Sequence, residues 1–155
     1  MNQKFIDYLK SNNLDFKVHD FDEFTHTAIQ AATALNCDVS QIAKSLIFKS
    51  ASSKPILVIA SGSNRVDTSK IAKLLGESID KADADFVKEA TGYTIGGVPP
   101  FAFLKKIITF IDQDLLKFTT IWAAAGANNS VFPLTIDNLV KISQGQVTDI
   151  RDSTV

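Results

Sequence analysis

The sequence predicts an α/β fold in which a mixed, largely antiparallel sheet is flanked by helices. With 155 residues, 45% of them hydrophobic and 21% charged, the chain has the size and composition of a soluble globular protein. We therefore interpret residues 1–155 as a single domain. Two apolar runs, residues 42–48 and 55–61, are separated by a polar segment typical of a hairpin turn. Such hairpin connections outnumber strand–helix–strand crossovers, which favours antiparallel pairing.

The remaining elements are predicted from alternation, helical spacing and capping residues. Alternating or continuous apolar runs predict strands at residues 15–21, 42–48, 55–61, 107–111, 119–125, 131–134 and 146–150. Helices need a capping side chain at the start and often end at glycine or asparagine. On these signals helices are expected at residues 5–10, at 28–35 after Thr27, from a cap at Asp67 or Thr68 to Gly76, at 83–90, and at 136–142 after Thr135, with a helical turn opened by Asp112.

Composition excludes several classes of protein. The formal net charge of −1 gives no support for binding along a DNA duplex. Cys37 is the only cysteine and the two histidines lack zinc-ligand spacing, so neither a disulfide framework, a metal site nor a cofactor is expected. No apolar run has the length of a signal peptide core or a membrane span. We expect a cytoplasmic protein without a membrane partner.

Lys44 is an unusual residue because it lies within the apolar run of residues 42–48. Lysine is seldom placed on such a strand for packing alone. Its ammonium could extend to water or form an ion pair. Alternatively, it could supply a fixed positive charge beside an anionic group or a developing oxyanion.

The second unusual feature is the segment Gly96-Gly97-Val98-Pro99-Pro100. Adjacent glycines allow positive φ and close approach of a ligand to the backbone. The two prolines restrict φ and remove two amide donors, so the segment is expected to be stiff. It is either a tight turn or the rigid wall of a small pocket.

Other candidate residues carry weaker signals. Asp112 is first a helix cap and second a site residue, and His26 could equally shape the start of the helix after Thr27. Cys37 has no activating partner nearby and is interpreted as a small residue near a helix end. There is no phosphate-binding glycine loop and no nucleophile elbow.

Several motifs together resemble the YbaK/ProX-type family of aminoacyl-tRNA editing domains. They are the segments 27–32, 41–48 and 91–101, then Ile111-Asp112, the turn from Ala124 to Gly126 with Phe132 to Leu134, and Asp137-Asn138-Leu139. The resemblance covers nearly the whole chain in the family's order. The lysine strand and the Gly-x-x-x-Pro segment are its specific parts. Some members carry a histidine or a basic residue where this chain has residues 127–130.

The resemblance implies a central sheet that curls like a barrel and an enzyme that hydrolyses mischarged aminoacyl-tRNA in trans. Lys44 would hold the tRNA 3′ end and the reacting ester, and Gly96 and Gly97 would supply backbone donors. The substrate pocket would further involve the following residues: Thr27, Ser45, Val98, Pro99, Pro100, Phe101, Asp112 and Gly126. The partner implied is the acceptor end of tRNA, met either by the free protein or beside an aminoacyl-tRNA synthetase.

Two other functions stay open at this point. A catalytically idle module could bind a tRNA end, a nucleotide or a synthetase through the same pocket. Retention of both Lys44 and the whole Gly96–Pro100 segment favours the enzyme, because a pure interaction domain would not need both. An unrelated small-molecule hydrolase would require a nucleophile or metal signature that the sequence lacks.

Overall fold

The fold is an eight-stranded mixed sheet with helices on both sides, seen in a computed structural model that describes residues 2–22 and 27–154. The helices are α1 (Gln3–Ser11), α2 (Ala28–Leu35), α3 (Thr68–Leu75), α4 (Ala84–Thr91) and α5 (Ile136–Ser143). The strands are β1 (His19–Asp20), β2 (Ile42–Ser50), β3 (Pro55–Ser61), β4 (Ile79–Lys81), β5 (Ile108–Asp112), β6 (Thr120–Ala124), β7 (Ser130–Thr135) and β8 (Gln146–Thr148). Short 3₁₀ helices cover Val39–Gln41 and Gln113–Lys117.

Within the described residues the strands pair in the order β1-β7-β6-β2-β3-β5-β8, and β4 pairs separately with β2. The hairpins β2–β3 and β6–β7 and the short pairings β1–β7 and β2–β4 are antiparallel. The pairings β2–β6, β3–β5 and β5–β8 are parallel. The predicted mixed, largely antiparallel α/β fold is therefore confirmed.

Local capping chemistry explains why the helices begin where they do. Thr27 accepts a hydrogen bond from the N–H of Gln30, whose side chain accepts from the Thr27 N–H in return, forming a capping box before α2. Asp67, Asp83 and Thr135 cap α3, α4 and α5 by accepting backbone N–H groups of the first turn through one side-chain oxygen each. Asp112 caps the 3₁₀ helix that follows β5, as predicted.

One predicted strand is mostly absent, and one observed strand was not predicted. Residues 15–21 form a strand only at His19–Asp20, which pairs with the end of β7. The apolar side chains of Leu14, Phe16 and Val18 do pack against the core, but no neighbouring strand is in register with them. The alternation of apolar and polar residues here therefore indicates burial of the apolar side chains and not strand pairing. The short strand β4 was not predicted, because its three residues carry no pattern and its pairing with β2 arises from tertiary structure.

Two apolar clusters fill the two faces of the sheet. One face packs Ala43, Ile47 and Leu57 against α1 and the aromatic residues Phe5 and Phe132, whose ring centroids lie 5.1 Å apart. The other face packs Phe48, Ile56 and Val58 against Ile71 of α3. β2 contributes to both clusters by alternation, so it lies at the centre of the fold.

Candidate functional site

A cavity of about 610 Å³ lies beside the stretch of β2 that is not paired with another described strand along one edge. β2 pairs with β6 only at Ile42 and Ala43, and with β4 only from Phe48 to Ser50. Between these pairings one edge of β2 is open, and the cavity occupies the gap. A volume of this size is typical of sites for small molecules.

The open edge exposes backbone polar groups to the cavity. The carbonyl oxygen of Ile42 accepts from Gly62 N–H at 2.7 Å, and Ser50 N–H donates to Lys54 at 2.9 Å. In an antiparallel pair, residues direct these groups alternately toward and away from the partner strand. The even-numbered residues of β2 thus bond to β3. Ser45 directs its N–H and C=O groups to the open edge, where no described strand pairs with it. Ile47 directs its groups to the same edge but is adjacent to Phe48, where the pairing with β4 begins.

The two walls of the cavity come from opposite faces of the sheet. The first turn of α2, with Thr27, Ala28 and Ile29, lies on one side. The segment with Ile95, Gly96 and Val98 lies on the other. The α2 wall packs on Ile42, whereas Val98 belongs to the cluster of Ala43 and Ile47. Because side chains alternate along a strand, Lys44 faces the α2 side and Ser45 faces the opposite side.

Lys44 is a half-buried cation without a counter-ion at hydrogen-bond distance. Within the part of the chain that the structure describes, no carboxylate forms an ion pair with it and no hydrogen bond to its ammonium is present. Desolvation lowers the pKa of Lys44 below its ordinary value, and the charge of Asp112 partly opposes that shift. The ammonium is thus available to an anionic group in the cavity.

Asp112 is a buried anchor behind Lys44 and does not line the cavity. One carboxylate oxygen accepts from Ser61 N–H at 2.9 Å and from the Asn64 amide at 2.8 Å. The other accepts from Asp114 N–H at 2.9 Å. These bonds fix the end of β5 against the end of β3, so the residue acts on the cavity through its charge.

Ser45 contributes a buried polar atom to the cavity. Its Oγ is shielded from solvent and forms no hydrogen bond to any residue that the structure describes, although the residue lines the cavity. Buried side-chain hydroxyls are bonded in the large majority of cases. Together with the open edge of β2, this unpartnered hydroxyl indicates that a polar ligand group completes the site.

The Gly96–Pro100 segment forms a wall, but its two glycines differ. Gly96 has φ +90° and lines the cavity. Gly97 is buried, and its N–H donates to the Thr94 carbonyl at 3.0 Å, so it is not available as a backbone donor to a ligand. A Cβ at Gly97 would lie 2.8 Å from Ala127 Cα. The close approach that requires this glycine is therefore to the turn after β6.

The N–H groups of Gly96 and Val98 donate to no acceptor in residues 2–22 and 27–154. Both residues line the cavity. Below them the wall is held by the fully buried Tyr93, whose hydroxyl donates to the Ala102 carbonyl at 3.1 Å and whose pKa is raised to about 12 by burial. The segment thus offers two unengaged amides on a fixed support.

Four other predicted site residues lie away from the cavity. Pro99 is buried, while Pro100 and Phe101 line a second cavity of about 120 Å³ on the far side of the wall. Gly126 packs against α1: its carbonyl accepts from the Asn2 amide at 2.9 Å, and an added Cβ would lie 2.7 Å from the Cβ of Asn2. These residues support the wall and its neighbour. His26 lies outside the described residues.

The cavity also includes residues that the sequence did not single out. Ile29 and Ile95, which are 67% and 56% exposed, lie at the rims of the two walls, and Trp122 lies where β6 meets β2. Ala127, Asn128 and Ser130 belong to the lining as well. Exposed isoleucines such as Ile29 and Ile95 can indicate a binding site. The other residues reach the cavity only through strand pairing between segments distant in sequence.

The charged side chains in the described lining of the cavity are of one sign. Lys44 and Lys81 line it, and its described lining contains no aspartate, glutamate, histidine or cysteine. No group of three or more potential metal ligands occurs in residues 2–22 and 27–154. Within the same residues, no helix is sufficiently long and apolar to cross a bilayer. The described lining therefore has donors on two walls, a combination that suits an anionic or ester-bearing ligand.

Comparisons with known proteins identify the family of this chain. A family model of the aminoacyl-tRNA editing domain matches residues 22–142. The uncharacterized protein YwhH of Bacillus subtilis (strain 168) is 33% identical over 135 residues, which is 87% of this chain and 86% of that protein. The multifunctional Ser/Thr-tRNA deacylase ProXp-y of Escherichia coli (strain K12) is 27% identical, over 96% of this chain and 92% of its own.

A solved structure is similar to this chain in fold as well as in sequence. It is described as a "putative trans-editing enzyme for prolyl tRNA synthetase" and is 33% identical, with a TM-score of 0.91 over 97% of this chain and 96% of its own. Sequence and fold thus agree over nearly the whole chain. The protein belongs to the aminoacyl-tRNA editing domain family of YbaK/ProX type.

Proposed function

We propose that this protein hydrolyses the ester bond of mischarged aminoacyl-tRNA in trans, as a quality-control step of translation in the cytoplasm. The observation that carries the proposal is that one cavity is lined by the half-buried Lys44, which has no described counter-ion, and, on the opposite side of the gap, by the amides of Gly96 and Val98, which have no described acceptor. An ester in this gap would find a cation and two N–H donors, which together suit the negative charge that develops on its carbonyl oxygen.

The nucleophile in this scheme is water. Water adds to the ester carbonyl, the tetrahedral intermediate collapses, and the bond from the carbonyl carbon to the ribose oxygen breaks. One proton of the water ends on that ribose oxygen, and the released carboxyl group loses its proton to solvent. The chain's contribution is orientation and charge stabilisation, worth roughly 3–4 kcal/mol for one oxyanion donor in comparable sites. An aminoacyl ester is already activated, so this contribution suffices.

The open edge of β2 suits the other end of the amino acid. An α-ammonium group is a donor, and the carbonyl of Ser45 is an acceptor that no described strand pairs with. The Ser45 hydroxyl supplies a further partner for a polar side chain or for the ammonium. Small apolar residues, among them Ala43, Val87 and Val98, line the cavity nearby and restrict the size of side chain that enters.

A pocket that accepts an amino acid cannot strongly reject one smaller by a methylene, and discrimination is limited to about 10–200-fold. A second, separate pocket that hydrolyses the wrong product removes this limit. The matched trans-editing structure names prolyl tRNA synthetase, and the Escherichia coli relative names Ser/Thr-tRNA. For this chain we propose the charged acceptor end of a tRNA as substrate, with a synthetase as a possible delivery partner.

The test is a panel of mischarged tRNAs carrying alanine, serine, cysteine and threonine, incubated with the purified protein and with the variant Lys44→Met. We expect release of at least one amino acid by the wild type and loss of most of that activity in the variant. A wild type that binds the tRNAs without hydrolysing any of them would instead show the non-catalytic binding module.

A further inference from the structure

Lys81 is a second cation of the cavity and lies on the same face of the sheet as Lys44. It is opposite Phe48 in the β2–β4 pairing. Paired residues share a face, and so do residues two apart along a strand, which places Lys44, Leu46, Phe48 and Lys81 on one side. Phe48 lies four positions after Lys44 along β2, a distance of about 13 Å. Lys81 therefore marks the β4 end of the gap.

The ammonium of Lys81 has no bonding partner among the residues that the structure describes. In the described part of the chain it forms neither an ion pair nor a hydrogen bond, although three aspartates lie close in sequence. Asp80 is opposite Lys49 and hence faces the other side of the sheet. Asp83 accepts from Phe86 N–H at 2.8 Å as the cap of α4, and Asp85 is exposed in the first turn of that helix.

Resting on the proposed function, we propose that Lys81 binds the phosphodiester that joins the terminal nucleotide of the tRNA to the one before it. The ester at Lys44 and this phosphate belong to the same nucleotide, so one substrate meets both lysines. Each lysine is a compact point charge on a flexible stem, which suits a phosphate reached from the rim. The absence of carboxylates from the described lining means that nothing in it repels the phosphate.

This assignment fixes the direction of the substrate. The amino acid lies toward the wall of Gly96 and Val98, and the nucleic acid leaves over β4. Because Lys81 adds one phosphate contact, it should make binding more sensitive to salt. For a single strand, the slope of the logarithm of the binding constant against the logarithm of salt concentration is about −0.7 for each phosphate neutralised. The inference is thus independent of which amino acid is removed.

The experiment compares Lys81→Gln with the control variant Lys73→Gln. Lys73 is an exposed lysine of α3 outside the cavity lining, so both variants lose one positive charge. Two substrates carry the same amino acid: an aminoacyl adenosine without a 5′-phosphate and an aminoacyl cytidyl-cytidyl-adenosine trinucleotide. For the trinucleotide we expect Lys81→Gln to raise KM about two- to fivefold with little change in kcat, since an exposed charge pair has this worth. For the adenosine ester KM should not change.

Binding of the uncharged, fluorescently labelled trinucleotide separates this inference from the proposed function, because it needs no hydrolysis. Lys81→Gln should weaken binding and reduce the salt slope by about 0.7, whereas Lys73→Gln should do neither. Wild-type binding without hydrolysis of any ester would overturn the deacylase and leave the Lys81 site standing. Equal behaviour of the two variants, an equal effect of Lys81→Gln on both substrates, or no binding by the wild type would overturn the Lys81 site.

Discussion

Gly96 and Gly76 provide a matched pair for testing whether the Gly96–Pro100 wall selects the amino acid. Both glycines have left-handed backbone, with φ +90° at Gly96 and +87° at Gly76, and both are exposed. A Cβ at Gly76 would meet nothing within 4 Å, and one at Gly96 would meet only Asn128 Cβ at 3.6 Å, an ordinary contact. Only Gly96 lines the cavity. Alanine therefore adds the same backbone strain at both sites and a methyl in the cavity at one.

The expected cost to stability follows from the backbone. A non-glycine residue in this region costs roughly 1–2 kcal/mol. For a chain of this size each kcal/mol lowers Tm by about 2–4 °C. Gly96→Ala and Gly76→Ala should thus each lower Tm by about 2–8 °C, and by similar amounts. Thermal unfolding followed by circular dichroism measures both.

The activities should diverge. We expect Gly76→Ala to keep the wild-type kcat/KM below its unfolding temperature. Gly96→Ala should lose activity, and should lose about tenfold more on the larger of two esters that differ by one methylene, which is the lower end of what a methylene is worth in a pocket. The assay is the ratio of kcat/KM for the two esters in all three proteins. If Gly96→Ala keeps the wild-type ratio and rate, the wall does not contact the amino acid, and the reasoning fails.

Three further predictions concern the residues around the cavity. Lys44→Met should lose most deacylation yet keep or raise Tm at pH 7, because a half-buried ammonium without a described counter-ion is replaced by an apolar chain. Burial lowers the folded-state pKa of Lys44 below 10.5, so its charge opposes folding at neutral pH. In a series of Tm measurements, the advantage of the variant should therefore vanish as the pH rises to 10.5 and above. Gly97→Ala should lose about 1–3 kcal/mol in urea unfolding, because its Cβ would lie 2.8 Å from Ala127 Cα, and wild-type stability would contradict the packing. Asp112→Ala should lose at least about 1–3 kcal/mol in the same assay by leaving the Ser61 N–H without its acceptor, and an unchanged midpoint would count against the buried anchor.

Helix starts, the β2–β3 hairpin and the family motifs were predicted from the sequence because each depends on neighbours within a few residues. The Thr27 capping box is complete in a four-residue stretch, and the same holds for the Asp112 cap of the following 3₁₀ helix. The unusual placement of Lys44 among apolar residues was visible for the same reason. Lys44 and Gly96 line the same cavity from its two sides.

Tertiary structure alone decided where the cavity lies and which residues line it. The gap exists because β2 is left by β6 after Ala43 and met by β4 only at Phe48, and both pairings join segments distant in sequence. For the same reason Gly97 and Gly126 proved to be packing positions against Ala127 and α1, while Lys81 came to the cavity through a strand too short to leave a pattern. A residue's conformational preference is encoded locally, whereas its neighbours across the sheet depend on how the whole chain folds.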